Sequence, residues 1–351
     1  MAFITILGTG FTGATQCFFG TIGVTIALNA DGTSFTCIPP AQTGTVNIGI
    51  TGSGGTVLGS GTLGYTYMGS PTIISLGTTM GPLVGGTSVI VTGTNFYNRT
   101  GEFPGATLPI TFGGVASTGG TITSVGSVTV YSPSNIAGAT SFYLNTPTGT
   151  ASGFTFTYIS LPTLTDVSPA GPSGPLGGGT ILQIIGTNLA TTSAITMGTS
   201  TGATLTSITD TGVTMTSPVS TTAGSKIIQV TTAGGVTSST TITFTYVALP
   251  TLQAPVSPAA GPLGGGTVVG ISGANLQNPT FVFFGNTAGT ALVGNSSGVT
   301  ANATTPAGSP GTVNVGYYTV GGGVTLTGAF TYVAAPIITS ITPNRGPTGG
   351  G

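Results

Sequence analysis

Apolar and polar residues alternate along this chain in short runs, and Gly, Pro and Asn separate the runs. "SVIVTGTNF" (88–96), "ILQIIGTNL" (181–189) and "VVGISGANL" (268–276) each put apolar side chains at alternate positions before closing on Gly-x-Asn and an apolar residue. Period-two patterning marks a strand with one face in a core, and the punctuating residues mark turns. No stretch carries the three-and-four spacing of a helix, so the pattern predicts an all-β protein.

The pattern repeats. "GYTYMGSP" (64–71), "FTFTYISLP" (154–162), "TFTYVALP" (243–250) and "AFTYVAAP" (329–336) share an aromatic residue, Thr, Tyr, three residues and Pro. The prolines are Pro71, Pro162, Pro250 and Pro336, spaced by 91, 88 and 86 residues. Each internal proline leads into an apolar pair, a Gly/Pro-rich turn, an alternating strand and, later, a short strand with a Gly turn ("ITFGG", "ITMG", "FVFFG"). Short strands with turn signals every 8–12 residues, in units of about 90, predict tandem antiparallel β-sandwiches of immunoglobulin-like type.

The units resemble the IPT/TIG family of immunoglobulin-like domains in the order Pro, apolar pair, second Pro, "GGT", apolar strand, Gly-x-Asn-[Phe/Leu] and a following Phe-Gly. The resemblance runs along essentially the whole chain. It is strong in the units that begin at Pro71, Pro162 and Pro250, and weaker over residues 1–70, where Gly10 replaces the usual Asn. The expected organisation is an incomplete domain at 1–70, complete domains at 71–161, 162–249 and 250–335, and a final segment at 336–351. The family occurs in receptors, surface proteins, polysaccharide enzymes and some transcription factors, so the resemblance implies a spacer or adhesive module and leaves function to the sites.

Charge narrows the field. Asp31, Arg99, Glu102, Asp166, Asp210, Lys226 and Arg345 are the only Asp, Glu, Lys or Arg residues. Three scattered basic residues cannot form the cationic surface that nucleic acid requires. No apolar run is long enough to span a bilayer as a helix, so membrane insertion is not expected. The N-terminal run has no basic residue before it and no recognisable cleavage site. The chain has no His, and its four carboxylates are scattered over three repeats, with only Asp166 and Asp210 in the same one and 44 residues apart, which leaves no pattern for acid/base, nucleophilic or metal chemistry. The expectation is no enzyme, no metal and no cofactor.

Other features read as architecture. The "GPLGGGT" runs lack the Lys-Ser/Thr and the helix of a phosphate loop, and are expected to turn the chain where the first strand crosses between sheets. Asn95, Asn188 and Asn275 fit left-handed or locally bonded turns. Tyr67, Tyr158, Tyr246 and Tyr332 are expected in the core with hydroxyls at its rim. Cys17 and Cys37 fall on inward positions, where a disulfide across the sandwich and two buried free thiols are both compatible. The sequons at Asn98, Asn295 and Asn302 are as frequent as a Thr-rich chain produces by chance.

The two ends carry the functional expectation. Set behind the closing "GGG", residues 2–11 ("AFITILGTGF") align position for position with residues 180–189 ("TILQIIGTNL"). On this reading residues 1–70 are a sandwich without its first strand, and residues 336–351 are a first strand without its sandwich. Strand donation from one copy to the next gives a head-to-tail homopolymer, an extracellular or virion-surface filament. The donor residues are Pro336, Ile338, Ile341, Pro343, Gly349, Gly350 and Gly351; the acceptor groove is Phe3, Ile4, Ile6, Tyr65 and Tyr67. The alternatives are a phage or virus fibre that binds host glycans at a cell surface and a fragment of a giant adhesin.

Overall fold

The structure, a computed structural model, describes residues 3–52, 55–58, 64–98 and 106–350. Among these residues there are strands and no helices. The chain divides into two compact units, Met1–Ile159 and Ser160–Gly351. Each unit holds two β-sandwiches.

The three later sandwiches share one plan. The first strand is split: its first piece (Thr72–Leu76, Thr163–Ser168, Thr251–Ser257) pairs antiparallel with the second strand in one sheet. Its second piece (Met80–Pro82, Ser173–Pro175, Ala260–Pro262) pairs parallel with the last strand in the facing sheet. The crossing lies between the two pieces, at 77–79, 169–172 and 258–259, and therefore ahead of the glycine run. That run, with Gly178 at φ +73°, turns the chain from the second piece into the second strand. The alternation seen in sequence becomes burial. Val89 and Val91, Leu182 and Ile184, Val269 and Ile271 are all essentially inaccessible, while Ile90, Ile181 and Val268 face solvent.

The first sandwich is built differently. Its strands are β1 (Ile4–Leu7), β2 (Ala14–Phe19), β3 (Ile22–Leu28), β4 (Ser34–Cys37), β5 (Gly44–Gly52), β6 (Gly55–Leu58) and β7 (Gly64–Tyr67). They form one continuous sheet in the order β1-β4-β3-β2-β5-β6, with β7 also on β5. The sheet is continuous because β3 pairs with β2 through Ile22–Thr25 and with β4 through Ile26–Leu28, carrying the ladder from one layer to the other. Neither β1 nor β7 has a partner on its outer edge among the described residues.

The cores reflect this difference. Among the described residues, the first sandwich has Cys17, Phe19, Phe35 and Cys37 fully buried, whereas each of the others buries a dozen or more apolar side chains. The tyrosines expected at the rim are there in three domains: Tyr158, Tyr246 and Tyr332 donate to the carbonyls of Pro133, Pro218 and Pro306 at 2.9, 2.7 and 2.8 Å. Tyr67 occupies the same place in the first sandwich, but its buried hydroxyl has no partner among the described residues. A satisfied buried hydroxyl contributes, and an unsatisfied one costs. Tyr246→Phe should therefore destabilise its domain by about 0.5–1.5 kcal/mol, whereas Tyr67→Phe should be neutral or stabilising in hydrogen exchange resolved by domain.

Cys17 and Cys37 are free, buried thiols, Cys17 on β2 and Cys37 on β4. Burial, helped by Cys37 beside it, pushes the Cys17 thiol up to about 12, and burial also raises the Cys37 thiol. An unfolded thiol ionises near 8.5, so the neutral form favoured by folding gives its full stability below that pH and loses it as pH climbs toward 12. The first sandwich should become less stable between pH 9 and 11, and Cys17→Ala should flatten part of that slope, the raised Cys37 thiol and Tyr67 hydroxyl contributing the rest. Thiol labelling at pH 8 should be slow in the folded chain and fast in denaturant; equal rates would contradict this account of the core.

Candidate functional site

In each complete sandwich the space between the second and last strands is filled by the first strand. Its apolar side chains enter the core there: Ile73 and Leu76, Leu164 and Val167, Leu252 and Val256. Register is the same in all three domains. Ile73 stands opposite Gly93, Leu164 opposite Gly186 and Leu252 opposite Gly273. The glycine is a steric requirement. A Cβ on Gly93, Gly186 or Gly273 would coincide with the carbonyl oxygen of Thr72, Thr163 or Thr251 on the first strand. The parallel pairing is equally regular, with Gly81, Gly174 and Gly261 opposite Tyr158, Tyr246 and Tyr332.

In the first sandwich the same space is a groove of about 540 Å³, lined by Ile4, Ile6, Phe11, Ile48, Ile50 and Tyr65, with Gly8 on its wall. The counterparts of these side chains in the third sandwich are Leu182, Ile184, Leu189, Ile228, Val230 and Phe244, all essentially inaccessible. In the first sandwich all six are only half-buried. The difference is the first strand, whose Leu164 and Val167 close the third core. Gly8 corresponds to Gly186, yet no strand lies over it among the described residues.

The structure brings Ile4, Ile6 and Tyr65 of the expected acceptor residues into this groove. Tyr67 lies beside them, edge-on to Tyr65 at 4.9 Å and to Phe19 at 6.4 Å, without lining the groove. Phe3 does not belong to it. One residue before Ile4, it points away from the alternation of β1, is 68 % exposed and lines a separate depression with Ile26 and Ile38. Phe11, Ile48, Ile50 and Gly8 were missed, although aligning 2–11 on 180–189 places Phe11 and Gly8 on Leu189 and Gly186.

The expected donor segment is exposed along its described length. Pro336, Ile338, Ile341, Pro343, Gly349 and Gly350 all face solvent, and Gly351 lies outside the described residues. Ile337, Ile338 and Ile341 are 84, 89 and 73 % exposed. The segment's described residues carry no strand, because a strand exists only against a ladder partner, and they have none among the described residues. Its sequence follows the first strand of the third domain residue for residue, with Pro336, Ile338, Ile341 and Pro343 at the places of Pro162, Leu164, Val167 and Pro169.

The titratable groups stay apart. The Asp31 carboxylate accepts from the Thr33 amide at 3.0 Å, a turn contact that holds its pKa below the usual range. Asp166 accepts from the Val167 amide, and Lys226 donates to Thr222. Among the described residues no three His, Cys, Asp or Glu side chains gather. Arg99, Thr100 and Glu102 lie outside the described residues. On one sheet face of the fourth sandwich, Phe283 lies 6.3 Å from Phe281 and 5.8 Å from Tyr318, with Phe281 60 % exposed.

A search of curated proteins finds no match. Among solved structures, the plexin A4 extracellular region is 15 % identical over 99 % of this chain and 38 % of its own, with a TM-score of 0.40. A surface glycan-binding protein of Bacteroides ovatus, SGBP-B in complex with a mixed-linkage heptasaccharide, is 18 % identical over 77 % of this chain and 72 % of its own (TM-score 0.23). The Escherichia coli adhesin FdeC is 15 % identical over 76 % and 96 %, respectively (TM-score 0.27). This chain spans less than two thirds of the plexin structures it resembles. The family model of the IPT/TIG domain matches residues 2–67, 162–246 and 254–332. The second sandwich, where the sequence pattern is strong, is not among the matched segments. It departs from the pattern by Thr78 at the place of the second proline and by a longer stretch between Phe96 and Ile110. The weaker first segment is matched. The matches cover well over half of the chain, and it belongs to the IPT/TIG domain family.

Proposed function

We propose that the chain is a structural subunit that polymerises head to tail, each copy placing residues 336–351 in the groove between β1 and β7 of the next, to build an extracellular or virion-surface filament. The observation that carries this reading is internal to the chain. Three domains fill one slot with one strand, the first domain presents the same slot half-open, and the exposed C-terminal segment repeats that strand's sequence. By the shared register Ile338 stands opposite Gly8 of the neighbouring copy and Gly346 opposite Tyr67. Gly8 stands at the place of Gly186, although the Phe11 ring of its own domain already packs where its Cβ would be, so the glycine by itself does not argue for a donor strand.

A slot and a strand at opposite ends of one chain make a heterologous contact, which propagates into an open polymer unless the rotation closes a ring. Main-chain hydrogen bonds satisfy the exposed edges, and alternate side chains fill the core. Each isoleucine buried contributes roughly 1.5–3 kcal/mol. On this reading the segments 71–161, 162–249 and 250–335 are rigid spacers that set the length of the repeat.

A second reading has one observation of its own. The rings of Phe281, Phe283 and Tyr318 form an uncharged aromatic face on a sheet, a surface on which the apolar sides of sugar rings stack. It makes the same protein a glycan-binding fibre. Loss of glycan-array binding in Phe281→Ala is its expected signature, and a wild-type chain that binds no glycan contradicts it.

Ile338→Ala with Ile341→Ala should abolish or greatly shorten polymers, because each truncation costs about 2–5 kcal/mol and every ~1.4 kcal/mol is tenfold in dissociation constant. Deleting 336–351 should leave monomers or short oligomers. Leu164→Ala with Val167→Ala should destabilise the third domain while leaving polymer length unchanged. Wild-type polymer from the deletion would overturn the reading.

Assembly should also be nearly insensitive to ionic strength, since apolar burial rather than ion pairing drives it. A several-fold loss of polymer between 50 and 500 mM salt, followed by sedimentation, would contradict this.

A further inference from the structure

The three complete domains fasten the chain where it enters them. The residue just beyond the second strand is Asn95, Asn188 or Asn275, each in the left-handed region at φ 60°, 57° and 57°. Each side-chain amide donates to the carbonyl of the residue immediately before the first-strand proline: Ser70 at 2.9 Å, Leu161 at 3.0 Å and Leu249 at 3.0 Å. These are not the local turn bonds expected from Gly-x-Asn alone; they span 25 to 27 residues and tie the incoming segment to the rim of the domain.

The first sandwich has Gly10 at this position. Its backbone is the same, with φ +76°, but it has no amide to donate. The left-handed backbone favours glycine here, but no neighbour demands it, because a Cβ built there meets nothing within 4 Å. An Asn would fit the space and tolerate the dihedral. What Gly10 removes is the clamp, and on the reading above the carbonyl left unclamped is that of Ala335 from the neighbouring copy, which stands where Leu161 and Leu249 stand in the internal joints.

We propose that Gly10 makes the intermolecular joint the loosest joint of the filament, the place where it bends and where subunits leave, once every four domains. This rests on the proposed polymerisation. The internal joints each have this hydrogen bond of ordinary geometry, and the joint between copies lacks it.

The test is Gly10→Asn in the full chain, with Gly10→Asp as its partner. Asp tolerates the same dihedral, but its carboxylate can only accept, so it cannot bond a carbonyl. Gly10→Asn should lower the critical concentration for assembly by roughly two- to twelvefold, the worth of one ordinary hydrogen bond. It should also narrow the spread of bend angles at every fourth joint in electron micrographs, and Gly10→Asp should do neither. Asn275→Gly should widen the angle at its own joint without shortening the polymer. Wild-type polymer that bends evenly at all joints, or that both variants tighten equally, overturns this inference alone. Absence of polymer from the wild-type chain overturns the proposed function and this inference with it.

Discussion

The closing of each sandwich by its first strand is the interaction on which the rest of the molecule depends. That strand is split between two sheets, so it satisfies two edges at once, and its paired apolar side chains seal the core between them. Where the strand is present, as over Gly186, the second strand must carry a glycine for the backbone to pass. Where no such strand lies among the described residues, the same positions are half-open and the glycine faces a groove. These are consequences of one constraint, since buried edges and buried polar groups are costly when left unmatched.

The scarcity of charge fits the same constraint. With seven Asp, Glu, Lys and Arg residues in the chain, the joints have only apolar burial, backbone ladders and uncharged side-chain hydrogen bonds to work with. The Asn clamps at Leu161 and Leu249 and the tyrosine bonds to Pro218 and Pro306 are of this uncharged kind. Interactions of this kind are weakly screened by salt.

Much of this was legible in the sequence because its determinants are local and repeated. Alternation in "ILQIIGTNL" located a half-buried strand, and the recurring Phe/Tyr-Thr-Tyr located the last strand of each unit. Cys17 and Cys37, read as inward positions, are buried as free thiols. Three-dimensional consequences were less legible. Phe3, expected in the groove with Ile4 and Ile6, is turned away from it by strand alternation. Ile48 and Ile50 come from β5, more than 40 residues from β1, and only the folded sheet brings them to the groove. The role of the Gly-x-Asn asparagine was invisible because its partner lies 25 or more residues earlier, at the start of the domain. The crossing was placed at the glycine run instead of ahead of it because both stretches are rich in Gly and Pro.

The central claim is that the groove between β1 and β7 takes the C-terminal segment of a second copy. A cryo-electron microscopy map of the purified full-length chain after assembly tests it most directly. The account predicts a polymer in which density for residues 336–350 runs through that groove, Ile338 opposite Gly8 and Gly346 opposite Tyr67 of the neighbouring copy. A chain that stays monomeric, or a polymer whose groove holds any other segment while residues 336–350 remain in solvent, would contradict it.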